Sequence, residues 1–507
     1  MAIVCQSIRP NLLLVNELLL TDEERDRAGA RLVALLDSYE RGLPEAEILP
    51  APDRDALSSL LATPMPEHGV GVDGLFDAWE STILPNSTTV AHPRFLAYVL
   101  GPPNGIAPYA EAMAAAMNQN CNFWQLSPAA SVVERSVLEW LASVVGFPSG
   151  ARGILTGGGS LATLQALATA LHDRVPDFHA TGLQRDAAPL VVYTSVEAHR
   201  SVDKAAAVLG IGLDNVRHIA TDPLHRMDVH ALRAAVEEDR AAGLRPWYVV
   251  GTCGTVSTGS VDPLDEIADL CAAEDLWLHV DGAYGALFLL SEEMRGLMGG
   301  CARADSITLD PHKLLHAPLE AGCLLVRDGA KLRDAFAFDS SYLTVAEDPL
   351  MTDYMDYGLQ LSRNFKAFKV WSALQAFGVS AFRDANARTL ALARRLGDGI
   401  EATPGLTLLA PVTLTAVCFA VDGASDDEHR ALLERLIAEN VALLGPVVVA
   451  GRRGIRACVT NHRTSEADIG LVLHRLRQAV SRRPRRAAVA GEGPGGGTAA
   501  TPEHNPV

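Results

Sequence analysis

Between residues 150 and 330 the sequence alternates short apolar runs with helical stretches, and this alternation constrains the fold more than any other feature. Strands separated by helices favour an α/β fold with a mostly parallel sheet that is covered on both faces. Ligands bind such sheets at the carboxyl ends of the strands, so the residues that follow each run are the first candidates for a site. The runs are Leu190–Ser195, Val216–Thr221, Trp247–Thr255, Leu276–Tyr284, Ser306–Asp310 and Gly322–Arg327.

The rest of the chain predicts further domains around this sheet. The 507 residues exceed the ~250–300 at which a single hydrophobic core stops growing. We expect a helical segment over residues 1–110, a large domain over 111–380 and a smaller α+β domain over 381–480. The glycine-rich end over 481–507 is predicted to be disordered, because it has too little apolar surface to offset its ordering entropy.

Composition argues against several classes of function. The formal charge of −18 is spread along the chain, whereas a nucleic-acid partner needs a basic face. A short basic run near the end is typical of a solvated terminus; it consists of Arg482, Arg483, Arg485 and Arg486. No run reaches the ~18–20 apolar residues of a membrane span, and the 8 cysteines show no CxxC spacing. We therefore expect a cytoplasmic protein with no membrane anchor and no metal site.

A lysine and a carboxylate stand at the ends of two neighbouring runs. Lys313 closes the segment DSITLDPHK, in which a strand leads into a turn that contains proline. Such a lysine alone is usually exposed, but burial near cationic groups would let it lose its proton and form a Schiff base. Asp281 ends an apolar strand, where it could cap a helix or pair with a protonated pyridinium nitrogen that accepts electrons.

A glycine-rich loop and a histidine complete the set. The loop Thr156–Ser160 (TGGGS) stands directly before the helical stretch Leu161–Val175. Glycines let backbone N–H groups surround a phosphate at a helix N-terminus, but the loop is neither GxGxxG nor a Walker motif. His199 follows the run that ends at Ser195, and its ring could stack on a flat cofactor or be an ordinary loop histidine.

Together these motifs make the chain resemble the group II pyridoxal-dependent decarboxylases, which include aromatic-amino-acid, histidine, glutamate, tyrosine, diaminobutyrate and cysteine-sulfinate enzymes. The resemblance extends from about His92 to Thr464. It rests on His92–Tyr98 (HPRFLAY), Ser127–Ala129, the Gly-Ser loop, His199, Thr252, His279–Tyr284 (HVDGAY), Asp310–Lys313 (DPHK) and Arg363–Lys366. Two positions differ from the common pattern, because Asp310 stands where many relatives carry Asn and Leu161 where Glu is commoner.

The resemblance implies an aspartate-aminotransferase-like (fold type I) architecture with a seven-stranded, mostly parallel sheet and a homodimer whose sites lie at the interface. It implies pyridoxal 5′-phosphate (PLP) as the cofactor, with Lys313 as its Schiff-base residue, Asp281 as the partner of the pyridine nitrogen and His199 stacked on the ring. The implied phosphate contacts are Gly158, Gly159, Ser160 and His312. The implied neighbours of the ring are Thr252 and Ala283, and the implied substrate residues are Tyr98, Val99, Asn122 and Trp124.

The reaction implied by the resemblance is the conversion of an L-amino acid to an amine and CO2. A loop tyrosine of the family protonates the product, and Tyr342 occupies the matching place, with Tyr354 as the alternative if the register differs. Three other readings stay open at this point: a decarboxylation-dependent oxidative deaminase that makes an aldehyde, an aminotransferase, and a carrier that binds PLP without turnover.

Overall fold

The structure is a computed structural model that describes residues 18–184, 188–338 and 350–482. Tyr342, most of the predicted tail and most of the apolar stretch before residue 20 lie outside the described residues.

The helices and strands of the described residues follow in chain order. The helices are α1 (Asp22–Gly42), α2 (Arg54–Ala62), α3 (Gly71–Ala78), α4 (Ala107–Met117), α5 (Pro128–Val145), α6 (Gly159–Arg174), α7 (Phe178–Thr181), α8 (Ser201–Val208), α9 (Val229–Ala241), α10 (Leu264–Glu274), α11 (Glu292–Arg295), α12 (Pro311–Leu314), α13 (Gly329–Asp334), α14 (Lys366–Glu401), α15 (Asp426–Ala438) and α16 (Glu466–Ser481). The strands are β1 (Arg152–Thr156), β2 (Leu190–Ser195), β3 (Val216–Ile219), β4 (Arg245–Thr252), β5 (Trp277–Asp281), β6 (Ser306–Leu309), β7 (Gly322–Val326), β8 (Leu406–Leu408), β9 (Ala416–Val421), β10 (Gly445–Val449) and β11 (Arg452–Cys458).

The large domain is built on a seven-stranded sheet with the order β1-β7-β6-β5-β4-β2-β3. The strands from β6 to β3 are parallel to their neighbours, and every residue of β2 and β5 is buried, as expected for a sheet with helices on both faces. The predicted mostly parallel seven-stranded sheet is therefore confirmed.

Strand β7 is the exception to the parallel arrangement. It lies antiparallel to both β1 and β6, so β1 again points in the same direction as β6. The two reversals bring the carboxyl end of β1 to the same edge of the sheet as the ends of β4, β5 and β6. The start of β7 lies at this edge too. The rule that ligands bind at the carboxyl ends of strands does not identify this segment, because β7 runs in the opposite direction.

The small domain contains an antiparallel sheet of four strands in the order β10-β11-β9-β8. Its core is formed with α15, α16 and the second half of α14, which is the helical part that the sequence predicts around these strands. Helix α14 joins the two domains, and its backbone leaves the helical conformation at Gly378, where φ is +71°. This break is close to the predicted boundary at 380, but the domain limits as a whole stay a prediction.

A buried ion pair connects three parts of the large domain. Glu134 on α5 pairs with Arg363, and both side chains are almost completely buried. Glu134 Oε1 also accepts a hydrogen bond from the Leu155 N–H of β1 at 3.0 Å, and the Arg363 guanidinium donates to the carbonyls of Cys121 and Leu155. The Arg363 segment of the sequence motif therefore stabilises the fold.

Candidate active site

A cavity of about 300 Å³ opens at the shared edge of the central sheet. Most of the predicted cofactor residues line it, from the loop after β1, the segment after β2, the end of β5 and the turn after β6. The lining residues are Gly157, Gly158, Gly159, Ser160, His199, Ser201, Gly254, Val256, Asp281, Ala283, Tyr284, Asp310, His312, Lys313 and Leu319. One site therefore collects residues that are more than 150 positions apart in the chain.

The glycine loop forms one wall of the cavity. Gly158 has a φ of +129°, a conformation that favours glycine, and α6 begins at the next residue. The first turn of a helix carries N–H groups without helical partners, and these groups attract anions. Gly322 of β7 packs so closely that a Cβ there would lie 2.4 Å from Gly158 Cα. The position of the loop is thus fixed by backbone contact with β7.

Lys313 faces the cavity from the short helix α12, and its side chain is 22% exposed. Proline at the first helical position sets the start of this helix, and the Lys313 N–H donates to the Asp310 carbonyl at 2.9 Å. Its Nζ lies 3.1 Å from Asp310 Oδ2. Lys313 is therefore held inward by an acidic neighbour, unlike an ordinary surface lysine.

Asp281 ends β5, and only 8% of its surface is exposed. Its Oδ1 accepts a hydrogen bond from the Ala283 N–H at 3.1 Å, which orients the carboxylate at the cavity wall. His279, two residues earlier in the same strand, is held by the Ser306 and Thr308 hydroxyls. Burial lowers the pKa of His279 to about 4, so that it is neutral beside Asp281 at neutral pH.

Thr252 lies on β4 directly opposite Asp281 in the sheet register. Its hydroxyl is buried and has no hydrogen-bond partner among the described residues, whereas its N–H donates to Asp262 Oδ2 at 2.7 Å. Burial raises the pKa of Asp262 to about 6. An unpartnered buried hydroxyl costs free energy. Thr252 is, however, not among the residues that line the cavity, so its predicted contact with the cofactor stays a prediction.

His199 and His312 both line the cavity, His199 from the segment after β2 and His312 from the turn after β6. His199 is exposed and accepts a hydrogen bond from the Ser201 N–H at Nδ1, which leaves its ring at the cavity wall. His312 is buried, and its Nδ1 lies 2.9 Å from the Ala321 carbonyl. Burial lowers the pKa of His312, against the opposing effect of Asp310.

The four predicted substrate residues do not line this cavity. Tyr98 is exposed and Val99 half-buried, in a segment whose Gly101 lies next to the Lys313 carbonyl. Asn122 is buried, and the Trp124 N–H donates to the Asp353 carboxylate at 2.8 Å. Their predicted role in substrate binding stays a prediction.

Tyr354, the alternative to Tyr342, lies in the core. It is 3% exposed, and the Arg363 guanidinium lies over its ring at 5.1 Å. Burial raises the pKa of its hydroxyl above the ordinary value.

Sequence reasoning missed several side chains that the structure places at the cavity, among them Tyr284 and Leu319. The hydroxyl of Tyr284 lies 2.6 Å from Thr415 Oγ1 and accepts the Thr415 N–H, so it joins the cavity to the small domain. Its position inside the HVDGAY motif was a usable signal. Leu319 lies at the opening, with 61% of its surface exposed, and no sequence pattern marks it.

Comparison with known proteins agrees with this geometry. Residues 55–422 match the family model described as the pyridoxal-dependent decarboxylase conserved domain. The chain belongs to the pyridoxal-dependent decarboxylases. It is 33% identical to an aromatic-L-amino-acid decarboxylase of Bacillus atrophaeus over 467 residues, which cover 90% of this chain and 96% of the relative.

Two solved structures share most of this architecture. Oryza sativa TDC with PLP and tryptamine has a TM-score of 0.84 and 26% identity, and the match covers 94% of this chain and 99% of that one. Rhodiola rosea 4-hydroxyphenylacetaldehyde synthase has a TM-score of 0.83 and 27% identity, with 91% and 99% covered. The predicted family and fold type I architecture are confirmed.

The decarboxylase is therefore a PLP-dependent enzyme that removes the carboxyl group of an amino acid. The cavity fits the cofactor, because it combines a helix N-terminus for phosphate, a buried carboxylate and a lysine. Within the described ranges, no group of three or more His, Cys, Asp or Glu side chains could hold a metal ion, and no helix is long and apolar enough to cross a membrane.

Proposed function

We propose that Lys313 holds PLP covalently and that the enzyme converts an L-amino acid to its amine and CO2. The observation that carries this proposal is the placement of Lys313 and Asp281 in one cavity with the N-terminus of α6. When bound, PLP supplies an electron sink for the carbon that loses its carboxylate. The residues that line the cavity would hold the cofactor and keep its pyridine nitrogen protonated.

Each cavity wall has a proposed task. Gly158, Gly159 and Ser160 bind the phosphate with backbone and hydroxyl donors, and His312 contacts it from the facing turn. Asp281 keeps the pyridine nitrogen protonated, while Thr252 and Ala283 flank the ring and His199 stacks on it. Because Asp281 is already oriented by the Ala283 N–H, its negative charge needs little rearrangement when the cofactor binds.

Tyr342 is the proposed acid that returns a proton to the product carbon. The burial of Tyr354 beneath Arg363 supports this choice, because that hydroxyl has no access to the cavity in the described structure. The proton donor decides the product, since a carbon that is not protonated is open to oxidation by dissolved O2, which is reduced to hydrogen peroxide. The similarity to an aldehyde synthase makes that oxidative reaction the alternative for this chain.

Product analysis tests this assignment. A screen of the common amino acids for CO2 release identifies the substrate, and we expect one amine for each CO2, with neither hydrogen peroxide nor keto acid. Tyr342→Phe is expected to lower amine formation by about 10²-fold, the lower end of general acid catalysis, and to release peroxide and ammonia. Tyr354→Phe is the control and keeps the amine product. Hydrogen peroxide formation by the wild-type enzyme would instead favour an oxidative deaminase. A stoichiometric keto acid product would favour an aminotransferase.

We also propose that the enzyme is a homodimer in which the N-terminal segment packs on the partner. Helices α1 and α2 have no buried side chain, although they carry several leucines. Leu61 and Met65 are 88% and 94% exposed. A second copy would cover this surface and would let Asn122 and Trp124 reach a cavity other than their own.

Sedimentation velocity tests the dimer. We expect one species of twice the chain mass at concentrations used for assay, and activity that falls on dilution together with that species. A fully active monomer would contradict the proposal.

The described cysteines are free thiols, which supports a cytoplasmic location that cell fractionation can test.

A further inference from the structure

Asp310 places a second carboxylate in the cofactor cavity. Its side chain is 3% exposed, and Oδ2 lies 3.1 Å from Lys313 Nζ and 3.6 Å from His312 Nε2. The other oxygen, Oδ1, is buried and has no hydrogen-bond partner among the described residues. A buried carboxylate with one unsatisfied oxygen is costly to a fold, and such groups mark functional sites.

The carboxylate lies beside the glycine loop. A Cβ on Gly159, the first residue of α6, would be 3.1 Å from Asp310 Oδ2. The N-terminus of a 16-residue helix attracts an anion, and Asp310 is the anion that the structure places there. It therefore lies next to the groups to which the cofactor phosphate is assigned.

The charges of the cavity make Asp310 a competitor of that phosphate. Among the lining residues that the structure describes, Lys313 is the only lysine or arginine, and two are carboxylates, Asp281 and Asp310. Burial lowers the pKa of His312 and so favours its neutral form. A phosphate monoester carries about −1.5 to −2 charges at pH 7, so it meets a like charge at Asp310.

We propose that the negative charge of Asp310 opposes the phosphate of PLP and so weakens retention of the cofactor by this enzyme. In the cofactor-free enzyme the charge is balanced by Lys313 Nζ, which is the atom that the cofactor must engage. Cofactor binding therefore breaks an existing ion pair and brings two anionic groups together. The inference rests on the proposed placement of the phosphate at residues 158–160.

The test measures binding to the cofactor-free full-length enzyme by calorimetry. Pyridoxine 5′-phosphate has the phosphate but no aldehyde, so it cannot react with Lys313, and pyridoxine lacks the phosphate. Asp310→Asn is expected to bind pyridoxine 5′-phosphate on the order of tenfold more tightly, as one unit charge at several ångströms in a partly screened site predicts. Pyridoxine binding should change by less than about twofold, because the repulsion requires the second charge.

Two control variants separate the possible outcomes. Asp269→Asn removes a charge from a surface side chain that is 73% exposed and should change neither affinity. Ser160→Ala should weaken binding of pyridoxine 5′-phosphate alone if the phosphate is placed correctly. One outcome is that Ser160→Ala weakens the binding of pyridoxine 5′-phosphate alone, while Asp310→Asn does not raise the affinity for that ligand. This outcome overturns the inference and leaves the proposed phosphate site intact.

The remaining outcomes are also decisive. If neither variant distinguishes the two ligands, the placement of the phosphate is wrong and the inference falls with it. An equal gain for both ligands in Asp310→Asn would indicate a change of shape and would also overturn the inference. Asp310→Ser, which removes the same charge, replaces Asp310→Asn if that protein does not fold as judged by circular dichroism.

Discussion

Replacing Lys313 by alanine is expected to lower turnover by at least about 10³-fold, the order seen when a covalent catalytic residue is removed. The cause is local, because Lys313 is the only lysine that lines the cavity of the described structure. The purified variant should also lose the visible absorption band of a lysine-linked cofactor near neutral pH. Absorption spectra and CO2 release under saturating PLP measure the two effects.

Lys204→Ala is the matched control for this experiment. Lys204 is an exposed residue of α8 that does not line the cavity, so its loss should leave both the spectrum and the rate unchanged. A Lys313→Ala enzyme with a wild-type rate would show that another amine holds the cofactor, and the assignment of the site would have to be abandoned.

The second large effect is expected on stability. Glu134→Gln keeps the shape of the side chain but leaves the buried Arg363 charge without its counter-ion. Breaking a buried ion pair from one side typically costs about 3–5 kcal/mol of unfolding free energy. Urea unfolding followed by circular dichroism should therefore show a midpoint well below that of the wild type.

Helix α5 offers a control one turn further along. Glu139 pairs with Arg135 at 2.8 Å, but its side chain is 54% exposed. Glu139→Gln should therefore cost no more than about 0–1 kcal/mol, as surface pairs do. Equal losses of unfolding free energy in the two variants would contradict this prediction. They would mean that Arg363 finds another partner when Glu134 is neutral.

The sequence was most informative about residues that follow parallel strands. The predicted run Leu190–Ser195 coincides with β2, and Asp281, His199 and Lys313 could be assigned to one edge because parallel strands end together. Alternation of elements sets their order but not their direction, so the reversal at β7 was not predicted. Strand β1 was missed because it has only five residues and begins at an arginine.

Other features of the site depend on contacts that no local pattern encodes. The unpartnered Asp310 oxygen and the contact of Gly322 with Gly158 arise where segments far apart in sequence meet. The role of Arg363 is a further example, because a motif shared with a decarboxylase family could mark either chemistry or packing. Only its burial against Glu134 and Tyr354 distinguishes the two.

The position of β7 between β1 and β6 also sets the order in which the site can be assembled during synthesis. Strand β1 carries the glycine loop and pairs, within the described sheet, with β7 alone. The loop therefore has no strand to join until residues 322–326 have left the ribosome, long after residues 152–160 were made. Such long-range pairing is slow and leaves an unpaired strand edge exposed in the meantime. We therefore expect cofactor capture to follow the joining of β7 to the sheet.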